Sequence, residues 1–131
     1  MKTVLFVCVE NARRSQIAEG IFNYLAREKK VDAKALSAGS KPAGKVDGRA
    51  VEVMKEVGID ISRAKPKPLT LEMLERADIV ITMGCEGVCP ATSKAVEEWG
   101  IPDPRGKSLE EYRKAREEIR ARVEGLLKRL K

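Results

Sequence analysis

Cys8 stands six residues before Arg14, and Ser15 follows directly. A thiolate is a strong nucleophile, a guanidinium grips two oxygens of a tetrahedral anion at once, and a neighbouring hydroxyl can donate to sulfur. The set suits attack by sulfur on an oxyanion held in place. With twelve arginines in 131 residues the spacing alone is common, and a free cysteine is often only a small hydrophobe closing a strand. Context separates the two readings. Thr3–Val7 is a continuous apolar run and helical periodicity begins at Ile17, so the residues between form a loop from a buried strand into a helix start. Such a loop turns consecutive backbone N–H groups and the positive end of a helix toward an anion, and the same field favours a thiolate. The candidate oxyanion-binding residues are therefore Val9, Glu10, Asn11, Ala12, Arg13 and Arg14, with Cys8, Arg14 and Ser15 as catalytic candidates. Asn11 suits a left-handed turn. Glu10 is discordant, because a carboxylate there repels the substrate unless Arg13 neutralises it or it points outward.

Three further residues carry possible chemistry. Asp103 lies in Pro102-Asp103-Pro104-Arg105-Gly106, which reads as a turn in any protein, but an aspartic acid opposite the thiolate would supply the proton that a leaving oxyanion needs. Cys85-Glu-Gly-Val-Cys89-Pro90 admits three readings: a metal site, a redox pair, or a buried cap on a strand. With no histidine and one other cysteine in the chain, a usual four-ligand zinc site cannot be assembled, so no metal and no cofactor is expected. A redox pair requires the segment to bend, since cysteines four apart on a regular helix point poorly for bridging. Gly84 and Gly87 permit that bend.

The elements that must position these groups follow from periodicity. A strand over Thr3–Val7 ends at Cys8, and a helix over Ser15–Arg27 has Ser15 as its N-cap candidate. Ala33–Ala38 reads as a second strand, Asp47–Val57 as a helix stopped by Gly58, Lys65-Pro-Lys-Pro68 as a rigid connector and Leu71–Ala77 as a short helix. Asp78–Met83 and Val96–Trp99 are the third and fourth strands. Ser108–Leu130 is a long amphipathic helix with Leu109, Tyr112, Ile119, Val123, Leu126 and Leu130 on one stripe and Glu110–Lys114 and Glu124–Lys128 as i,i+4 pairs. Alternation of this kind predicts an α/β protein of three layers, α/β/α, around a four-stranded parallel sheet, with ligands beyond the carboxyl ends of the strands. Cys8, Gly39 and Cys85 all fall there.

Composition bounds the rest. The chain has the size of one domain, expected over residues 1–131, and contains no run of apolar residues long enough for a membrane span. A soluble, cytoplasmic protein with reduced thiols is the expectation from three cysteines and no secretory signal. Charged residues make up 35%, with Gln16 the only glutamine, a composition like that of thermophile proteins. The net charge of +6 comes from interspersed signs without basic, aromatic-laced blocks, which argues against nucleic acid and suits a solvated surface or attraction of small anions.

The loop Cys8-Val-Glu-Asn-Ala-Arg-Arg-Ser15 resembles the signature of the low-molecular-weight tyrosine phosphatase family and of the thioredoxin-coupled arsenate reductases that share its fold. Ser37-Ala38-Gly39, Gly58-Ile59-Asp60 and Asp103-Pro104 match further segments across nearly the whole chain. Ser15-Gln16, Glu19-Gly20, Trp99 and Gly106-Lys107 look like the reductase subgroup, and no tyrosine follows Asp103 closely to wall a phosphotyrosine ring. The resemblance implies a relay in which Cys8 attacks arsenate, Cys85 attacks the adduct and Cys89 completes a disulfide that thioredoxin reduces. The alternatives are a phosphatase acting through phosphocysteine on Cys8, with Asp103 as acid, and a non-enzymatic oxyanion-binding module. Some arsenate reductases also hold potassium with an Asn, a Glu, a Ser and an Asp. Asn11, Glu19 and Ser37 match three of these, whereas the region of the Asp reads Lys65-Pro-Lys-Pro68.

Overall fold

The computed structural model describes residues 1–84 and 95–131. The strands are β1 (Lys2–Cys8), β2 (Ala33–Gly39), β3 (Ile79–Thr82) and β4 (Ala95–Glu98); the helices are α1 (Arg14–Glu28), α2 (Gly48–Lys55), α3 (Leu71–Arg76) and α4 (Leu109–Leu130). All strand pairs are parallel, in the order β2-β1-β3-β4. The chain therefore leaves β1 for one side of the sheet and returns on the other. A crevice opens at that change of direction, beyond the carboxyl ends of β1 and β3. Cys8 is the last residue of β1 and lies at its edge.

The β1 run is apolar because both of its faces are covered. Val4, Phe6 and Cys8 join the larger core with Ile17, Ile21 and Phe22 of α1, while Leu5 and Val7 pack on the other side with Leu74 of α3 and Val80 of β3. This is the three-layer arrangement expected. Phe6 is wedged between Phe22, ring centres 6.0 Å apart, and Trp99, at 5.5 Å.

On α4 the buried stripe is Tyr112, Ala115, Ile119, Val123, Leu126 and Leu127; Leu109 and Leu130 are partly buried at its ends. Glu110 pairs with Arg113 and Lys114 with Glu111, both i,i+3 rather than the expected i,i+4 spacing. Arg113 is drawn that way because it also grips Glu56 at the end of α2, at 2.8 Å. Arg113 and Arg116 together push the Glu56 carboxyl down to about 2. Among the described residues no helix is long and apolar enough to cross a membrane.

Phe6→Ala should cost about 3–5 kcal/mol, because two aromatic partners lose their common neighbour and the β1 backbone cannot collapse into the void. Urea unfolding of the two proteins measures it.

Candidate active site

Four backbone carbonyls of the loop after β1 are tied to the segment that follows β2. Ser40 N–H donates to Cys8 O (3.1 Å), Lys41 to Val9 O (2.8 Å), Ala43 to Glu10 O (2.9 Å) and Asp47 to Ala12 O (3.0 Å). With its carbonyls bound on that side, the loop is left to present N–H groups on the other. Asn11 makes the reversal in the left-handed region, with φ 53°, and donates its N–H to Cys8 Sγ at 3.3 Å. The loop lies so close to β2 that a Cβ on Gly39 would sit 2.6 Å from Val9 O, which accounts for a glycine there.

Cys8 is 2% exposed, and its sulfur lies 2.8 Å from Ser15 Oγ. The direction of that bond follows from the neighbours. Gln16 Nε2 (3.0 Å) and the Lys67 N–H (2.9 Å) both donate to Asn11 Oδ1, which turns Asn11 Nδ2 onto Ser15 Oγ at 2.6 Å. Ser15 Oγ accepts from Asn11 and has its own proton to give to sulfur. Ser15 is thus not the N-cap expected from its type. It lies one residue inside α1, its hydroxyl committed to Cys8 and Asn11, while Arg13 holds the cap position without a capping side-chain bond. An uncapped helix start leaves first-turn N–H groups available to an anion.

The two arginines divide the work. Arg14 Nη1 donates to Ile101 O (3.1 Å), and its Nη2 lies 3.6 Å from Asp103 Oδ2. Gly84, at φ 68°, makes room for it: a Cβ there would meet Arg14 Nη1 at 2.6 Å. Arg13, 7% exposed, is ringed by three carboxylates, with Nε on Asp103 Oδ1 (3.0 Å), Nη1 on Asp47 Oδ2 (3.1 Å) and Nη2 on Glu10 Oε1 (2.9 Å). Burial alone would lower the Arg13 pKa, but Glu10, Asp103 and Asp47 outweigh it and hold the guanidinium above its usual value. Glu10 is therefore neutralised rather than opposed to the substrate, and Arg105 Nη1 grips its other oxygen at 2.7 Å.

Cys8, Glu10, Ala12, Arg13, Arg14 and Asp103 line one narrow cleft. Cys85 and Cys89 lie outside the described residues. Sequence reasoning missed Asp47, Tyr112, Arg105 and the role of Lys67. Tyr112 O–H donates to Asp47 Oδ2 at 2.6 Å. Burial and that bond push the tyrosine up to about 12. Burial opposes the charge on Asp47, but Tyr112, the Arg49 N–H and Arg13 prevail and hold its carboxyl below the usual range. Only the Asp-Gly start of α2 gave a local sign of Asp47, as an N-cap.

Beside Glu19 and Ser37, two of the residues that match potassium ligands, the Lys67 ammonium lies 3.5 Å from both Glu19 Oε1 and Ser37 Oγ, and Ser37 donates to the same Glu19 oxygen. The cationic role there is filled by the chain itself. Among the described residues no group of three or more His, Cys, Asp or Glu is placed to hold a metal ion.

Two predictions follow from these charges. Asp47 contributes stability fully above the ordinary carboxylate range and loses it as pH falls through the depressed folded value, so Asp47→Asn should flatten the decline in urea midpoint between about pH 5 and pH 2. Replacing sodium by potassium should leave wild-type activity unchanged, whereas Lys67→Met should lower it by leaving the Glu19 carboxylate beside Ser37 without its cation; initial rates in the two salts test both.

Comparison with known proteins places this geometry. The model of the low molecular weight phosphotyrosine protein phosphatase family matches residues 3–131. Arsenate reductase 1 of Staphylococcus epidermidis is 39% identical over 127 residues, covering 94% of this chain and 93% of that protein. A thioredoxin-dependent arsenate reductase of Corynebacterium glutamicum superposes with a TM-score of 0.84 at 37% identity, covering 99% of this chain, which spans 62% of that longer one. A low molecular weight protein tyrosine phosphatase from T. tengcongensis superposes with a TM-score of 0.91 at 34% identity, covering 99% of this chain and 100% of that one.

Proposed function

Because this chain belongs to the low molecular weight phosphotyrosine protein phosphatase family, we propose that it is an arsenate reductase of that fold, working by a three-cysteine relay and drawing electrons from thioredoxin. The observation that carries the reading is the Cys8 sulfur, 2.8 Å from the Ser15 hydroxyl, at the base of a loop whose carbonyls are tied away from it. The similarity to arsenate reductases over nearly the full length supports the choice of substrate.

In the first step arsenate rests on the N–H groups of Val9–Arg14 and on the Arg14 guanidinium, which must exchange Asp103 for substrate oxygens. Ser15 stabilises the Cys8 thiolate. Sulfur attacks arsenic, a sulfur–arsenic bond forms, and an oxygen leaves as water with a proton supplied through Asp103. The Cys85 thiolate then attacks the Cys8 sulfur. A disulfide forms, the sulfur–arsenic bond breaks, and its electron pair stays on arsenic, which departs as arsenite. Cys89 attacks Cys85, making the Cys85–Cys89 disulfide and returning Cys8 as thiolate. Thioredoxin reduces that disulfide by exchange and is itself oxidised. The parts of Cys85 and Cys89 are those that the resemblance to the thioredoxin-coupled arsenate reductases implies for their positions in the sequence.

One observation favours a second reading, the TM-score of 0.91 to a tyrosine phosphatase. In that case Cys8 forms a phosphocysteine intermediate, Asp103 protonates the leaving alcohol, and the other thiols are dispensable.

Cys89→Ser should abolish multiple-turnover arsenate reduction coupled to thioredoxin while sparing hydrolysis of an aryl phosphate, and Cys8→Ser should remove both. Equal arsenate turnover with and without Cys89 would sink the relay. Anion affinity without turnover of either substrate would leave a binding module.

A further inference from the structure

Glu10 is the one acidic side chain of the anion loop, and the oxyanion chemistry does not require it. Its Oε1 meets Arg13 Nη2 at 2.9 Å and its Oε2 meets Arg105 Nη1 at 2.7 Å. The second contact joins residues 95 apart and links the anion loop to the segment carrying Asp103. Arg105 is itself placed by that aspartate, since its backbone N–H donates to Asp103 Oδ1 at 3.1 Å. Backbone and side chain of Arg105 thus connect Asp103 with Glu10.

The position matters because displacement at a tetrahedral centre is in line. The leaving oxygen lies opposite the Cys8 sulfur, on the side of Asp103. In a free oxyanion that oxygen carries only a proton. In an ester it carries the remainder of the molecule, which must run outward beside Asp103, where Glu10 and Arg105 meet. A lone carboxylate would repel both kinds of substrate alike. Paired with two guanidiniums, it leaves the obstruction of the pair itself as the difference between them.

We propose that Glu10 and Arg105 are specificity-determining residues, an ion-paired strap from the anion loop to the Asp103 loop that admits a small free oxyanion and disfavours an organic ester of one. The proposal rests on the reading of Cys8 as nucleophile facing Asp103. Because the Arg105 side chain is 68% exposed, the strap is a several-fold filter and not a wall.

The test reads binding and needs no turnover. Cys8 alkylation by iodoacetamide is followed by mass spectrometry of its peptide, with inorganic phosphate or phenylphosphonate as protecting ligand. The wild-type protein should be protected at lower concentration by phosphate. Glu10→Gly and Arg105→Ala should each reduce that preference about fivefold, the scale of one partly exposed ion pair. The double variant should go no further than either single one, and Arg105→Lys, which keeps the charge, should retain most of the preference. An unchanged ratio in both single variants, or protection lost equally for both ligands in Arg105→Ala, would overturn the strap. A shifted ratio in a protein that turns over no arsenate would leave the strap standing and remove the reductase reading.

Discussion

A buried asparagine in a left-handed turn holds this site together. Asn11 uses every polar group on its inward side: its N–H goes to the Cys8 sulfur, its amide nitrogen to Ser15, and its carbonyl oxygen receives Gln16 and the Lys67 backbone. Three parts of the chain meet on it: the end of β1, the first turn of α1 and the proline connector after α2. The amide cannot be reversed without facing two donors to two donors. Its orientation sets the direction of the Ser15 hydroxyl, and through it the proton offered to sulfur. An apolar residue of the same size would leave several buried donors and acceptors unmet, each costly in a low-dielectric site.

Around that centre the charges are arranged in pairs, and the arrangement answers what a basic anion loop would otherwise suffer. Two adjacent guanidiniums, 7% and 6% exposed, would repel each other and resist burial. Arg13 is compensated by Glu10, Asp47 and Asp103, and Tyr112 takes a share of Asp47. Among the described residues Arg14 meets only a backbone carbonyl and the more distant oxygen of Asp103. The residue compensated by three carboxylates is structural in character. Its neighbour keeps the weaker commitments, which is what the proposed reading of Arg14 as the oxyanion clamp requires.

The sequence was legible where the chemistry is local. Cys8, Asn11, Arg14 and Ser15 lie within eight residues, between an apolar run and a helical period, so type and order alone showed the loop. Strand and helix positions followed because β1 is covered on both faces and α4 on one. Ser15 was read both as an N-cap and as a donor to sulfur, and it is not the cap, because a serine at a helix start looks the same whether it caps the helix or turns to a thiol. The parts that Asp47, Tyr112, Arg105 and Lys67 play at the site were not readable, although Asp47 stood at a helix start and Tyr112 on an apolar stripe. Their partners at the site lie 30 to 95 residues away, and nothing local in the sequence names those partners. Glu10 was discordant unless Arg13 neutralised it or it pointed outward; Arg13 does neutralise it, and Arg105, 95 residues on, is the cation that no local pattern indicates.

The proline connector has a consequence at the border of the sheet. β2 is the outermost strand on its side, and a strand in that place exposes a row of donors and acceptors to which another chain can add. Here Gly39 donates to Lys67 O and accepts from Leu69 N–H, so residues 67–69 lie along the end of β2 nearest the catalytic loop. The alternate residues, Pro66 and Pro68, face away from β2 and have no N–H to offer. A further strand approaching that flank finds no donor to pair with. The same short segment that braces Asn11 thereby removes this end of β2, beside the cleft of Cys8, as an edge for pairing.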